Sequence, residues 1–345
     1  LFIMAKYYQH NFSLQWNLKN IQGLYRVSAM KTELYCGLVH QSLLVFLKRK
    51  TMQIHPSIYI HNADITPRGK KALIVEGGGM RGVFSAGVLF AMGLRGLTHF
   101  DLYIGVSAGA CNLASFLGRQ YERNFYIMEN WSASWRFINP FRIFWGNVLD
   151  LDWLWDITIS NYRLNLHEIF KDSSREFLVV VTSMESGKAL YIKPNKENLE
   201  FVLKASSALP VLYRNKLFIE GQRVADGGVG DSIPVKEAYK RGARDIVVIR
   251  SQAKEYRKDK SESGTLLKLL FRSYPEFVKA LVQRPVNYNK AIEFIENPPD
   301  DTRITEICPP AWFKTKRTTT SKQQLLKDYY SGIQTGFLLC NYYKS

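Results

Sequence analysis

Short apolar segments alternate with amphipathic ones from residue 70 onward, and this alternation limits the possible folds more than any other feature of the chain. Strands are predicted over residues 72–76, 101–105, 177–183, 188–193 and 245–251, and helices over 83–95, 108–118 and 235–241. Apolar strands separated by helices are typical of a parallel sheet that is covered on both faces. The sequence therefore predicts an α/β fold, a three-layer α/β/α arrangement with a mainly parallel central sheet.

The segments outside this alternation have a different character. Residues 1–68 hold four of the six histidines and lack a clear pattern of strands and helices. They are interpreted as upstream sequence or a poorly structured leader, with Met52 as a candidate native start. Residues 69–251 are the predicted α/β domain, which contains an aromatic-rich insert over 119–160. Residues 252–345 are predicted to be a helical C-terminal extension with amphipathic helices over 266–282 and 323–342.

The charge of the chain bears on its partners. Lys and Arg number 47 against 30 Asp and Glu, which gives a net charge of +17. Such an excess attracts polyanions, meaning nucleic acid or an anionic lipid surface, although a basic protein can also simply be soluble. The sequence contains no zinc-finger spacing, basic heptads or RNA-binding aromatic motif, so no nucleic acid partner is expected. Peripheral contact with an anionic membrane remains the expectation, and protein partners are left open.

Cysteines and apolar runs indicate the compartment. The four cysteines are scattered without a CxxC pair, which argues against a disulfide scaffold or a zinc-ribbon site and suits a reducing compartment. The longest apolar run, residues 34–47, is 14 residues long and contains His40 and Gln41, so it is too short and too polar to cross a bilayer. We therefore expect a cytoplasmic protein, with contact to the membrane only at its periphery.

A glycine cluster, GGGMRG over residues 77–82, lies between a predicted strand and a predicted helix. Glycines at such a junction allow backbone N–H groups to converge at the start of the helix, which favours anion binding. The same letters fit a dinucleotide-binding fingerprint, which needs an acidic residue at the end of the next strand. Asp101 begins that strand instead of ending it, so the dinucleotide interpretation is disfavoured.

A second motif, GVSAG over residues 105–109, also joins a predicted strand to a predicted helix. Small residues two positions on either side of Ser107 permit the strained turn called a nucleophile elbow, which exposes the serine hydroxyl above the sheet. The alternative is an ordinary strand-to-helix turn. The position of the motif, directly after the apolar residues DLYI, favours the elbow.

The base that would activate Ser107 is not expected to be a histidine. In α/β-hydrolases the acid and then the histidine follow the serine along the chain, but His167 is the last histidine of this sequence. His99 and His167 are partners only in principle, because their sequence contexts are those of surface or capping residues. Asp226, followed by Gly227 and Gly228 at the end of a predicted strand, is instead a carboxylate that a neighbouring loop can approach closely. An ordinary turn is the alternative for this DGG segment.

Taken in order, GGGMRG, GVSAG and DGG resemble the motifs of the patatin-like phospholipase family, and bacterial members in particular. The segment Ala205–Pro210 (ASSALP) adds a fourth family-like block. The resemblance covers about residues 70–250. It implies that Ser107 is the nucleophile, that Asp226 is its general base, and that Gly78 and Gly79 form an oxyanion hole to which Arg81 adds charge or support. The remaining motif glycines are Gly77, Gly82, Gly105, Gly109, Gly227 and Gly228.

The function that this resemblance implies is that of a serine lipid acyl hydrolase acting on fatty-acyl esters of phospholipids or related lipids. No metal or other cofactor is expected. A carboxylesterase or thioesterase for soluble acyl substrates, and a lipid-binding module without catalysis, are the alternatives.

Two apolar segments are candidates for lipid contact. The insert could hold an acyl chain, or its aromatic side chains could form a packed subdomain; they include Trp131, Trp135, Phe141, Trp145, Trp153 and Trp155. The apolar stripe over residues 266–282 is predicted to lie on a membrane or to pack on the sheet. Basic residues at positions 268, 272, 279 and 284 are predicted to lie beside that stripe at the surface.

Overall fold

The structure of the chain, a computed structural model, describes residues 57–259 and 264–343. Predictions for residues 1–56, including Met52 as a native start, lie outside the described residues. Nine strands form one sheet in the described part of the chain: β1 (Ile58–His61), β2 (Lys70–Val75), β3 (Leu102–Val106), β4 (Glu176–Ser183), β5 (Ala189–Ile192), β6 (Leu217–Ile219), β7 (Gln222–Asp226), β8 (Ala243–Ile249) and β9 (Arg303–Ile307).

The order of the strands across the sheet is β1-β9-β8-β2-β3-β4-β7-β6, and β5 pairs with β4 off this path. The five central strands, from β9 to β4, are parallel to one another. β1, β5, β6 and β7 are antiparallel to their neighbours, which makes the sheet mixed. β2 and β3, which precede the GGGMRG and GVSAG motifs, are adjacent, so both motifs lie at the same carboxyl edge of the sheet.

Ten α-helices are found in the described residues, and the longer ones cover the two faces of the sheet. They are α1 (Gly82–Leu94), α2 (Ala108–Leu117), α3 (Arg123–Ile127), α4 (Leu151–Asn161), α5 (Leu166–Ile169), α6 (Leu199–Ser206), α7 (Val235–Lys240), α8 (Gly264–Leu270), α9 (Pro275–Glu296) and α10 (Lys322–Tyr342).

Alternating side chains of the central strands enter two separate cores. In β2, Leu73 and Val75 pack in one core with residues of α1, α2 and α10, whereas Ala72 and Ile74 pack in the other with residues of α7 and α9. This division follows from the two-residue period of a strand, and it explains why the four buried residues of β2, residues 72–75, are all apolar. The predicted three-layer α/β/α architecture is confirmed.

The sheet extends beyond the predicted α/β domain at both ends of the chain. β1 lies within the segment interpreted as a leader, and β9 lies within the segment predicted to be purely helical. β9 is inserted between β1 and β8, so it is an internal strand of the sheet. Its sequence, RITEI, mixes charged and polar residues with isoleucine. Such a composition does not predict a buried strand. The division into leader, domain and extension is therefore not reflected in the sheet.

Buried charges join β8 to β9. Arg250 is fully buried, and its guanidinium donates to Glu306 Oε1 at 2.6 Å. Lys254 Nζ and His61 Nε2 lie 2.6 and 3.1 Å from the second oxygen of Glu306. Burial by itself raises the pKa of Glu306, but the hydrogen bond with His61 and the charge of Arg250 outweigh it and bring that pKa to about 2. A buried carboxylate with these partners stays ionised, and removing one partner would leave an uncompensated charge.

The C-terminal helices differ in part from the prediction. The helix expected over residues 266–282 is two helices, α8 and α9, because Pro275 begins a new helix after a break. Phe277 and Val278 of the expected membrane stripe are buried, whereas Leu269, Leu270 and Val282 of the same stripe are exposed.

The last helix, α10, packs closely against α1. A Cβ added to Gly332 would lie 2.1 Å from the carbonyl oxygen of Phe84, and one added to Gly87 would lie 2.2 Å from that of Tyr329. Backbones at this separation require glycine at both positions, which makes α10 an integral part of the fold.

Candidate active site

Ser107 lies at a sharp turn between β3 and α2. Its backbone φ of 53° and ψ of −128° fall in a region that non-glycine residues rarely adopt, as expected for a nucleophile elbow. The neighbouring backbones leave no room for side chains at the flanking glycines. A Cβ at Gly105 would lie 2.4 Å from Ala110 Cα, and a Cβ at Gly109 would lie 2.4 Å from the carbonyl oxygen of Val75. The two glycines of GVSAG are thus required by the packing of the turn.

Ser206 ties this turn to the sheet. Its hydroxyl accepts a hydrogen bond from the N–H of Ser107 at 2.8 Å and donates one to the carbonyl of Val180 at 2.6 Å. Ser206 belongs to the ASSALP block, whose role cannot be read from the local sequence pattern. A buried hydroxyl that both accepts and donates fixes the elbow against β4.

The glycine loop, residues 77–82, lies directly against the elbow. A Cβ at Gly77 would lie 2.7 Å from the carbonyl oxygen of Val106, and one at Gly82 would lie 3.1 Å from Ala108 Cβ. Gly79 has a φ of +57°, which favours glycine. Within the part of the chain that the structure describes, no hydrogen bond is found from the N–H groups of Gly78 and Gly79. These two donors are available to a ligand.

A distant segment holds the glycine loop in place. The N–H of Met80 donates to the carbonyl of Arg317 at 3.0 Å. A Cβ at Gly79 would lie 2.7 Å from that carbonyl oxygen. Arg317 precedes α10, so the loop depends on the C-terminal region for its support.

Asp226 ends β7, and its side chain is buried. Its Oδ1 accepts a hydrogen bond from the N–H of Gly228 at 2.8 Å, whereas its Oδ2 is buried and has no hydrogen-bond partner among the described residues. The backbone N–H of Asp226 donates to the carbonyl of Ala208 at 2.9 Å, so the ASSALP block supports this residue as well as Ser107. A Cβ at Gly227 would lie 2.1 Å from the carbonyl oxygen of Val180. The carboxylate is therefore rigidly held and carries one free acceptor.

A narrow polar cavity of about 20 Å³ brings these groups together. The sequence-predicted site residues that line it are Ser107, Asp226, Gly77, Gly78, Gly79, Gly228 and Arg81. Burial lowers the pKa of Arg81, and the charge of Glu76 offsets part of that effect. The other four motif glycines do not line the cavity but allow the close backbone packing around it: Gly82, Gly105, Gly109 and Gly227. In the described residues, no set of three or more His, Cys, Asp or Glu side chains is arranged to hold a metal ion.

The described histidines do not line this cavity. His99 and His167 are exposed at the surface, and His167 lies beside Glu168. His61 belongs to the Glu306 cluster. Asp226 and Glu76 are the two carboxylates that share the cavity with Ser107, and Asp226 is the one with an unpartnered oxygen.

Three basic residues of the cavity were not predicted as site residues: Lys258, Arg284 and Arg317. We refer to them as the cationic wall. Arg284 was expected to be a surface charge beside the membrane stripe, and that expectation is wrong. Its guanidinium reaches the DGG turn, where a Cβ on Gly228 would lie 3.1 Å from its Nη2. No local pattern marks these residues, since they come from three separate segments that only the tertiary fold brings together.

A second, apolar cavity of about 120 Å³ meets the polar one at Ser107. Ser107, Gly79, Leu209 and Arg317 line both cavities. The apolar cavity is walled mainly by side chains of the insert and of α6, including Ile127, Phe137, Leu154, Trp155 and Leu203. An apolar pocket that ends at a serine hydroxyl suits an acyl chain.

The aromatic side chains of the insert contribute less to this cavity than the sequence suggested. Of the six named above, only Trp155 lines it. Trp131 and Trp153 stack edge to face with ring centroids 6.1 Å apart. Trp135, Phe141 and Trp145 are exposed to solvent.

Comparison with known proteins adds independent findings. A family model described as patatin-like phospholipase matches residues 73–239, and a second, described as a domain of unknown function (DUF6363), matches residues 274–343. An uncharacterized protein of Escherichia coli K12, YjjU, is 35% identical over 274 residues, which are 78% of this chain and 76% of that protein.

More distant similarities are also found. Lysophospholipase NTE1 of Debaryomyces hansenii is 28% identical over 211 residues, which are 58% of this chain but only 13% of that protein. The crystal structure of VipD from Legionella pneumophila aligns with a TM-score of 0.46 at 14% identity, over 86% of this chain and 72% of that one. On the family model and the similarity to YjjU, the chain belongs to the patatin-like phospholipase family.

Proposed function

We propose that the protein is a serine hydrolase of fatty-acyl lipid esters that works through a Ser107–Asp226 dyad. The Oγ of Ser107 attacks the ester carbonyl while Asp226 Oδ2 accepts its proton, and the proton then passes to the departing alcohol. Water attacks the resulting acyl-enzyme, gives its proton to Asp226, and the fatty acid leaves as Ser107 is regenerated. The N–H groups of Gly78 and Gly79 stabilise the oxyanion in both steps.

One observation carries this proposal: Ser107 stands where an apolar cavity meets a polar cavity that contains an unpartnered carboxylate oxygen. An acyl chain fits the apolar side and the alcohol half of the ester fits the polar side. At the level of the family, the comparisons support a lipid acyl hydrolase. The dyad, the oxyanion donors and the charge supplied by Arg81 are part of the proposal.

The test is fatty-acid release from a panel of esters, together with covalent labelling. The panel contains a lysophospholipid, a diacyl phospholipid, a soluble p-nitrophenyl ester and an acyl thioester. We expect hydrolysis of the phospholipid esters, and we expect a fluorophosphonate to stop it by forming one adduct, on Ser107. Activity confined to the soluble ester or the thioester would favour the esterase alternatives. Lipid binding without hydrolysis of any ester would favour a non-catalytic module.

Membrane contact belongs to the same proposal. None of the helices in residues 57–259 and 264–343 is long and apolar enough to cross a membrane. The insert instead exposes several large aromatic side chains, and we call the four most exposed the aromatic patch: Trp135 (61% exposed), Phe141 (62%), Phe144 (79%) and Trp145 (72%). Phe137 and Ile138 of the same segment line the apolar cavity. Aromatic rings next to the acyl pocket suit the interface of a bilayer, and the net charge of +17 favours an anionic one.

Replacing the four residues of the aromatic patch by serine is expected to weaken binding to anionic vesicles at least about tenfold, because the apolar area that enters the interface is lost. The measurement is co-sedimentation with vesicles at several salt concentrations, and the remaining electrostatic part should weaken as salt rises. Phe218→Ser is the control, since Phe218 is an exposed aromatic residue on β6, outside the insert. Equal binding by the patch variant and the Phe218 variant would exclude the patch as the docking surface.

A further inference from the structure

The cationic wall comes from the part of the chain that follows the patatin-like match. Lys258 follows β8, Arg284 lies on α9 and Arg317 precedes α10, whereas the match ends at residue 239. All three nevertheless line the cavity that contains Ser107. The C-terminal region therefore forms one side of the candidate active site.

The positive charge of this cavity exceeds its negative charge. Together with Arg81, the cationic wall contributes four basic groups, against the carboxylates of Glu76 and Asp226. Both carboxylates already accept hydrogen bonds from backbone N–H groups, those of Ser251 and Gly228. The Nε atoms of Arg81 and Arg284 are buried and have no hydrogen-bond partner within the described residues.

These basic groups are costly to keep together without an anion. Burial and, after it, the positive charge of Arg284 lower the pKa of Lys258 to about 6. Burial likewise lowers the pKa of Arg284, although the charge of Asp226 offsets part of that effect. The side chain of Lys258 is held between the Tyr288 ring, 3.9 Å from its Nζ, and Ser232 Oγ at 3.3 Å. Like charges that the fold holds close together in a cleft point to a bound anion.

The position of the wall indicates which anion. Lys258 and Arg284 line only the polar cavity and Arg317 lines both cavities, and the polar side of Ser107 has room for one or two oxygen atoms. In an acyl phospholipid the phosphate is joined through a few atoms to the alcohol oxygen of the ester, so it would enter from this side. Two arginines and a lysine supply the fork-shaped and point-charge donors that bind phosphate oxygens.

We propose that Lys258, Arg284 and Arg317 form a subsite for the phosphate group of the substrate, which makes phosphate-bearing acyl esters better substrates than uncharged esters with the same acyl chain. This inference rests on the proposed function, because it assigns the alcohol half of the ester that Ser107 attacks.

The test compares two short-chain substrates, octanoyl glycerol phosphate and octanoyl glycerol, each below its micelle concentration. The measured quantity is the ratio of their kcat/KM values, which cancels any general damage to the enzyme. We expect Arg284→Gln and Arg317→Gln each to lower this ratio about tenfold, mainly through KM for the phosphate substrate. The substitution at Arg317 leaves the backbone carbonyl that holds Met80. Lys279→Gln, which removes the same charge from the exposed face of α9, should leave the ratio unchanged.

Two further measurements identify the source of the phosphate. Inorganic phosphate should inhibit hydrolysis of octanoyl glycerol weakly, and less so in the Arg284 variant. Strong inhibition by inorganic phosphate, with equal kcat/KM for the two esters, would mean that the site takes free phosphate, and would overturn the substrate assignment. If Arg284→Gln and Lys279→Gln changed the ratio of the two kcat/KM values equally, the result would contradict the subsite itself.

Binding to the Ser107→Ala protein separates this inference from the proposed function. If the wild-type protein cleaves neither these two esters nor any ester of the panel above, the proposed function fails. Binding of octanoyl glycerol phosphate that Arg284→Gln weakens, measured by calorimetry in the Ser107→Ala background, would still support the anion subsite. If the Ser107→Ala protein bound octanoyl glycerol phosphate and octanoyl glycerol equally well, the result would contradict the anion subsite.

Discussion

Substitution of Ser107 by alanine is expected to lower kcat for phospholipid hydrolysis by at least about 10,000-fold, the loss seen when a serine hydrolase lacks its nucleophile. The methyl group of alanine cannot form an acyl-enzyme, so only oxyanion stabilisation and substrate binding would remain. The elbow conformation does not depend on the hydroxyl, because it is held by the backbone N–H of Ser107 and by Ser206. The melting temperature should therefore change little.

Ser115→Ala is the matched control. Ser115 is a buried serine of α2, the helix that Ser107 precedes, and its hydroxyl donates a hydrogen bond to Asn124 Oδ1 at 3.0 Å. This variant should retain most of the activity, since Ser115 lines neither cavity. A Ser107→Ala protein that is folded and keeps more than about 1% of the wild-type kcat would contradict the assignment of the nucleophile.

The second large effect is expected for Asp226→Asn. Asparagine preserves the shape of the side chain and can still accept the hydrogen bond from Gly228, but it cannot take a proton from Ser107. We expect kcat to fall by at least about 10,000-fold, because the proposed general base is lost. The measurement is steady-state hydrolysis of a lysophospholipid, with circular dichroism to verify folding.

Two comparisons make the Asp226 prediction specific. Asp231→Asn alters a partly buried carboxylate in the same turn region. Asp231 Oδ2 accepts a hydrogen bond from Tyr191 at 2.8 Å, and the residue does not line the polar cavity. It should leave kcat within about threefold of the wild type, as expected for a group outside the reaction. The double variant His99→Gln, His167→Gln should also remain active. If that folded double variant lost activity while Asp226→Asn kept it, the result would contradict the dyad and favour a histidine as the general base.

Local sequence patterns are sufficient to predict the α/β architecture and many of the residues that line the candidate site. The strands next to the GGGMRG and GVSAG motifs are adjacent in the sheet, which follows from short strand-turn-helix units that a run of apolar residues and glycines can specify. The dyad assigned to Ser107 and Asp226 stays a prediction, although both residues line one cavity.

Features that depend on distant segments were missed. β9 is a central strand with a sequence, RITEI, that has too few apolar residues to suggest burial; its Glu306 is tolerated only because Arg250 and Lys254 meet it there. Arg284 has the composition of a surface residue on an amphipathic helix, and only the packing of α9 turns it toward Asp226. Ser206 likewise accepts a hydrogen bond from the N–H group of Ser107. The two residues are far apart in the sequence, so no local spacing predicts this contact.

The place of β9 in the sheet also has a consequence for the newly made chain. On the ribosome, Ser107 and Asp226 emerge before β9 and Arg317 have been synthesised. A nascent chain that ends after β8 would have an open, apolar strand edge where β9 belongs, and edges of this kind invite pairing with other chains. Its glycine loop would also lack the Arg317 carbonyl that holds Met80. The site is thus completed late in translation, so unfinished chains should be poor lipid hydrolases and should need protection from aggregation.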